Sequence, residues 1–248
     1  MNNYPDFSNI EKNYGRPMTS ARDQELQMSQ AFPVLMRKVY TWMALALAIT
    51  GFTAYYVASS PAILSLIFGN QLVFWGLIIA EFALVIGVTA AINRLSLTTA
   101  TLMFVLYSVI NGVTLSSIFM VYTLSSITSV FFITAGTFAA MAAFGYFTKT
   151  DLSSMGKILL MALIGLIIAT LVNILLKSSG LEMILNYVGV LVFVGLTAYD
   201  SQKIKEMLLA APDAGEGAQK VALLGALSLY LDFINLFLYL LRLFGRRE

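Results

Sequence analysis

Seven long apolar runs, separated by short polar stretches, dominate this chain. They lie near 39–58, 72–92, 98–122, 127–147, 158–176, 183–199 and 221–241. Each has roughly the 20 residues that cross about 30 Å of hydrocarbon at 1.5 Å per residue. The runs are unbroken and lack the alternation of a membrane β-barrel. Backbone groups in lipid must be satisfied within the segment, so each run is expected to be a helix. The pattern predicts an all-α integral membrane protein, with residues 34–248 forming one seven-helix transmembrane domain. Residues 1–33 are polar, rich in Asn, Ser, Pro and mixed charges. They read as a flexible cytoplasmic tail. They are not a signal peptide, because the first apolar run is long enough to span.

Composition sharpens this picture. Of 248 residues, 59% are hydrophobic and 11% charged, against about a quarter charged in a soluble domain. So little polar surface cannot cover a water-facing body, and lipid is the expected surrounding. There is no cysteine and no histidine. Disulfide frameworks, thiol chemistry, His-ligated haem and zinc sites built on Cys or His are thereby excluded. A titration near neutral pH would have to come from carboxyl groups displaced from their ordinary range by their surroundings. The net charge of +2 gives no reason to expect nucleic acid. No GxxxxGKS/T motif is present, which argues against ATP-driven pumping. No nucleophile–base–orienter set exists either, so the chain is not expected to be an enzyme or to hold a cofactor.

Lysine and arginine suggest an orientation. With a cytoplasmic N-terminus, the inner segments hold Lys12, Arg16, Arg22, Arg37, Lys38, Arg94, Lys149, Lys157, Lys203, Lys205 and Lys220, eleven in all. The outer segments hold four: Lys177, Arg242, Arg246 and Arg247. The bias places the N-terminus inside. Three of the four exceptions follow the seventh run, which either crosses against the rule or is re-entrant; its length favours crossing.

Three acids stand where lipid-spanning helices should carry none. Glu81 is in the middle of the second run, Asp232 is in the middle of the seventh, and Asp200 closes the sixth. A carboxylate at a helix centre costs about 2.5–3.5 kcal/mol even on lenient insertion scales, so such a residue faces the bundle, finds a partner or carries a proton. The plainer alternative for Glu81 and Asp232 is a neutral, hydrogen-bonded role in packing. For Asp200 it is a solvated helix end. Arg94, 13 residues after Glu81, reads most simply as an interfacial anchor. Asn111, Asn173 and Asn235 read as interhelical hydrogen-bond formers. Asn235 shares a helix face with Asp232. Ala135, Ala139 and Ala143, at four-residue spacing, are expected to let helices approach closely.

Two stretches carry a resemblance: AYDSQKIK at 198–205 and ALSLYLDFINLFLYLLRLFG at 226–245. With Glu81 and the seven-segment layout, they resemble the transmembrane Bax inhibitor motif family, over essentially the whole chain from about residue 30. The polar N-terminal stretch looks like that of bacterial members. The resemblance implies a seven-helix bundle whose C-terminal helix is central and wrapped by the other six, which would shield Asp232 from lipid. It also implies a pH-sensitive calcium leak channel, with suppression of cell death in eukaryotic members. It assigns Asp200 and Asp232 to a pH-sensing aspartate pair that meets calcium transiently, and Glu81 and Arg94 to gating. Arg94 fits less well, because its spacing from Glu81 is longer than the family pattern.

Two carboxyl groups meeting in a low dielectric cannot both ionise cheaply, and such a pair holds a shared proton. Fully ionised, they repel each other and attract a hard cation that prefers oxygen ligands. Two or three carboxylates with carbonyls and water make the weak, passing site a leak requires. The partners implied are the bilayer, calcium ions and protons. The competing reading is a regulatory membrane protein that binds other membrane proteins, such as a membrane protease or death-pathway components. An intramembrane aspartyl protease fits poorly: Tyr199–Asp200 matches its YD motif, but LYLD at 229–232 lacks the glycines of GxGD. The resemblance and the charge bias together place the chain in a bacterial inner membrane.

Overall fold

The computed structural model describes residues 21–211 and 213–247. Eight α-helices follow in order: α1 (Ala21–Ala58), α2 (Pro61–Phe68), α3 (Gln71–Ala91), α4 (Leu97–Leu115), α5 (Leu124–Phe147), α6 (Ser153–Leu176), α7 (Ser179–Leu209) and α8 (Glu216–Phe244). A 3₁₀ turn, Ser116–Met120, extends α4. All but α2 are long and apolar enough to span a membrane, as the hydrophobic runs imply. The flexible tail expected for 1–33 falls largely outside the described residues. From Ala21 onward the chain is already helical, although the span long and apolar enough to cross begins at Gln30.

Local chemistry sets the helix boundaries. Pro61 occupies the first turn of α2, where its missing N–H costs nothing. Asn70, Ser96, Thr123 and Ser178 cap α3, α4, α5 and α7, each accepting a hydrogen bond from a backbone N–H two or three residues on. Such caps satisfy amides that otherwise lack a partner at a helix start. Asn173, read from sequence as interhelical, instead accepts from Ser178 N. It closes the turn after α6, where Lys177 adopts a left-handed conformation (φ 51°).

The bundle is arranged around α8, as the family resemblance implies. It packs against α1, α4, α5 and α7, and 67% of its apolar window is buried, against 6% for α3 and for α6. Those two lie at the periphery, α3 on α4 and α6 on α7. A helix that is apolar all round but covered by a neighbour along one side only needs lipid on its open side, and α3 and α6 read that way. Tyr230 of α8 is fully buried, with Phe104 and Tyr107 of α4 set edge-on at 5.7 Å each.

The seventh span crosses the bundle completely. At its start, the Glu216 carboxylate accepts from Leu97 N, and Gln219 accepts from Lys38. At its finish, Arg246 N donates to Ser126 Oγ, Thr123 N donates to Arg246 O, and Tyr122 bridges Arg247. The chain therefore leaves the bundle at the end holding the α4–α5 connection, opposite the end where α1 approaches.

Close approach in α5 uses a different stripe from the expected alanines. Thr134, Phe138, Ala142 and Gly145 face inward and are buried. A Cβ on Gly145 would run into the backbone carbonyl of Ala198 in α7. Ala135, Ala139 and Ala143 instead line an apolar cavity of about 860 Å³ between α1 and α5, floored by Phe233. The small side chains there leave space rather than draw two helices together.

Candidate functional site

The two aspartates lie on facing seams of α7 and α8. Along α7, Gly189, Phe193, Asp200 and Ile204 repeat at spacings of three, four or their sum, which holds one helix face. Along α8, Gly225, Leu229, Asp232, Leu236 and Tyr239 do the same. The seams touch at both ends: Ile204 fills the space beside Gly225, and the Tyr239 ring fills that beside Gly189. The helices are antiparallel, so this register sets Asp200 level with residues 228–229 and Asp232 level with residues 196–197. The offset is about three residues, roughly 4.5 Å along the axis.

Side-chain direction narrows that gap. Cα–Cβ bonds tilt toward a helix's own N-terminus. The N-terminus of α7 is at one end of the bundle and that of α8 at the other. The Asp200 carboxyl therefore leans toward the level of Asp232, and the Asp232 carboxyl leans back toward Asp200. The two carboxyl groups therefore face one another across the seam at nearly one level.

Asp232 is 5% exposed, and its Oδ2 is buried without a hydrogen-bond partner. Packing glue of the ordinary kind would show that oxygen satisfied. Asn235, one turn further along α8, is no partner: its amide donates to Leu231 O of its own helix. Asp200 is half-buried. It was expected to close its helix, but α7 continues to Leu209, so the carboxyl sits more than two turns inside rather than at a solvated end. Apolarity stopped at Asp200, but helix propensity and a buried seam through Ile204 and Leu208 carried the helix on. Lys203 stands one turn toward the helix end from Asp200, over the ring of Tyr199. In the sequence Lys203 counted only toward the charge bias, although its i, i+3 spacing from Asp200 was there to be read.

Ser201 and Gln202 tie this part of α7 down. Ser201 Oγ donates to Ala142 O in α5 and pairs with Tyr40 OH at 3.1 Å. Gln202 bridges Leu152 N and Thr150 O before α6. These residues fill the AYDSQK motif with positioning contacts that the motif alone did not disclose. Among the described residues, no group of three or more acidic or other metal-ligating side chains gathers at one point. The seam offers two carboxylates, a donor set suited to passing occupancy by a hard cation rather than to a resident metal.

Glu81 faces α4. Thr114 Oγ1 donates to its Oε1 at 2.6 Å and also lies 3.0 Å from Asn111 O, which sets Asn111 close to the carboxyl. Arg94 is not brought to it. Arg94 is exposed in the turn after α3, about 20 Å further along the helix axis, where an interfacial anchor belongs. The large cavity between α1 and α5 includes neither aspartate in its lining, so it is separate from the seam.

Comparison with known proteins bears on the family of the chain. Residues 33–248 match the family model described as "Inhibitor of apoptosis-promoting Bax1". The chain is 51% identical over 228 residues to the inner membrane protein YbhL of Escherichia coli, covering 91% of this chain and 97% of that protein. It is 46% identical over 225 residues to an uncharacterized protein of Borreliella burgdorferi, covering 91% and 96%. Against an uncharacterized protein of Deinococcus radiodurans the identity is 38% over 213 residues, covering 86% and 90%.

Proposed function

The chain belongs to the Bax inhibitor family, and from that premise we propose that it is a pH-responsive cation leak, calcium being the favoured ion, controlled by the Asp200–Asp232 pair. The observation that supports this reading is the unpartnered, buried Oδ2 of Asp232 on the seam that also holds Asp200. A carboxylate at that depth is costly unless it holds a proton or meets a cation. Protonated, the pair is neutral and the seam between α7 and α8 is free to close. Ionised, the two groups repel and present four oxygens to a hard cation. The protein is read as non-enzymatic and without a cofactor.

The test is calcium release from liposomes that carry the purified chain, compared with empty liposomes, as the external pH is stepped through neutrality. Release that depends on the chain and changes with pH is expected. Release no faster than from empty liposomes at every pH would return the protein to the competing class, a regulator that acts by binding other membrane proteins.

Orientation is part of the same proposal. The YbhL name places that relative in the inner membrane, and we place this chain there with its N-terminus in the cytoplasm. Because the chain has no cysteine, single cysteines report sidedness without background. Lys38→Cys should react with a membrane-impermeant maleimide only after the cytoplasmic face is opened. Arg247→Cys should react in intact spheroplasts. The reverse pattern would invert the topology, and reaction of both from one side would contradict the complete crossing by α8.

A further inference from the structure

A second polar chain crosses the bundle on the opposite side of α8 from Asp232. Tyr230 precedes Asp232 by two residues, about 200° around the helix, and its hydroxyl is fully buried. That hydroxyl lies 3.0 Å from Asn111 Oδ1 of α4 and 2.7 Å from Thr50 Oγ1 of α1. Thr50 Oγ1 in turn donates to Ser108 O at 2.9 Å. On the other side, Thr114 Oγ1 lies 2.6 Å from Glu81 Oε1 of α3 and 3.0 Å from Asn111 O, which sets the Asn111 amide beside the Glu81 carboxyl. Four helices, α3, α4, α8 and α1, thus meet along one line of polar side chains.

Counting hydrogens along the line gives an asymmetry. Ser108 O can only accept, so it takes the single hydrogen of Thr50. The contact between Tyr230 and Thr50 then needs the single hydrogen of Tyr230. Nothing is left for Asn111 unless its NH₂, rather than its Oδ1, faces Tyr230. That orientation turns Oδ1 toward Glu81, where it meets a repelling oxygen if Glu81 is ionised and a donor if Glu81 is protonated. With ionised Glu81 the amide must point its NH₂ at the carboxylate, and one contact near Tyr230 loses its hydrogen. With protonated Glu81, every contact on the line has a donor and an acceptor. Heavy-atom positions accommodate both amide orientations.

We propose that Asn111 turns its amide with the proton on Glu81, so that Tyr230 and Thr50 report the state of Glu81 to α8 and α1. The proton comes from the aqueous phase to a Glu81 oxygen. Along the rest of the line no bond to hydrogen is broken; only the amide and the hydroxyls rotate. Among the described residues, the helices packed on α3 set no charged side chain against Glu81. The titratable groups whose fields it shares are Tyr107 of α4 and Tyr230, and α2, which also packs on α3, carries no ionisable side chain. Asn111, Tyr230 and Thr50 are therefore positioning residues. They reach the helix that carries Asp232 from behind, and the inference stands whichever ion the pair passes.

The experiment is infrared difference spectroscopy between acid and alkaline buffer, on the full chain in lipid with isotopically labelled tyrosine. The wild type should show a change in a tyrosine C–O band alongside the carboxyl bands. That tyrosine signal should vanish in Tyr230→Phe and in Glu81→Gln, whose amide donates permanently to Asn111. It should shift in Thr50→Val, which removes the far partner without touching Tyr230. It should persist in the Asp200→Asn/Asp232→Asn double variant, which separates this chain from the aspartate pair. A wild-type spectrum without a tyrosine contribution, or one unchanged in Glu81→Gln, would overturn the proposal. Helix content by circular dichroism identifies any variant that fails to fold, and Thr50→Val then carries the test.

Discussion

Asp232→Leu should melt no lower than the wild type in detergent and abolish the pH response of the leak. The side chain is buried and one carboxyl oxygen has no partner, so removing it forfeits no hydrogen bond on that side. Replacing buried ionic groups with apolar ones of similar volume is often neutral, or stabilising by about 1–4 kcal/mol. Leucine is larger than aspartate, but Gly225 and Gly189 leave room along the same seam only where Ile204 and Tyr239 already sit. Some repacking is therefore expected, and the net gain is put at roughly 1 kcal/mol. A large fall in melting temperature would mean that Asp232 serves the packing of the bundle. A stable variant with lost pH dependence would mean that the protein keeps a costly residue for what it does.

The opposite behaviour is expected at Gly145. Gly145→Val should destabilise the bundle by about 3 kcal/mol, seen as an apparent melting temperature lower by roughly 6 °C or more. The reason is local. The first atom added at this position meets the backbone carbonyl of Ala198, which cannot rotate away as a side chain can. The contact lies beside the stretch that carries Asp200, so α5 and α7 must part where the seam is set. Gly136→Val, on the same helix, should be nearly silent, because a Cβ there meets nothing within 4 Å. Equal losses at the two glycines would remove the close approach of α5 and α7 as a determinant of the fold.

Most of the architecture was legible in the chain because lipid imposes a simple rule. Backbone groups must be satisfied inside each segment, and length follows from bilayer thickness. Seven runs thus became seven spans. What escaped were features that depend on neighbours. The short helix Pro61–Phe68 was too brief to register as a run. The extension of α7 past Asp200 to Leu209 is polar on one side only, and apolarity read as an average lost it. The alanines of α5 announced a close contact, but Gly145 and Ala142 make it; spacing alone does not say which face meets a partner. Asp200 and Asp232 were identifiable as costly acids. The family resemblance paired them, but spacing and composition alone did not, because the level at which they face each other rests on the register of two antiparallel helices fixed by Gly225 against Ile204 and by Gly189 against Tyr239. Tyr230 gave no sign at all, since a tyrosine among leucines reads as core until its hydroxyl is seen between Thr50 and Asn111.

The resemblance read from the sequence implied that Glu81 and Arg94 of the second span act together in gating. Here Glu81 is held by Thr114, while Arg94 lies exposed in the turn after the helix. Closure of the path, where it involves Glu81, is therefore expected to run through α4 and α8 rather than through an ion pair within α3. Among the described residues the one ion pair is Lys220–Glu216, at 3.0 Å on the surface turn that opens α8. Exposed pairs of that kind contribute little.

The central claim is that the Asp200–Asp232 pair sets the pH response of a cation leak. It is tested most directly by calcium flux through reconstituted protein, with the wild type and the Asp200→Asn/Asp232→Asn double variant followed side by side as pH is stepped. An amide does not titrate, so the account predicts that the double variant loses the pH dependence while its melting temperature stays near that of the wild type. A double variant that still releases calcium with the wild-type pH profile would contradict the account and move the sensor away from the α7–α8 seam, with Glu81 the next carboxyl to examine.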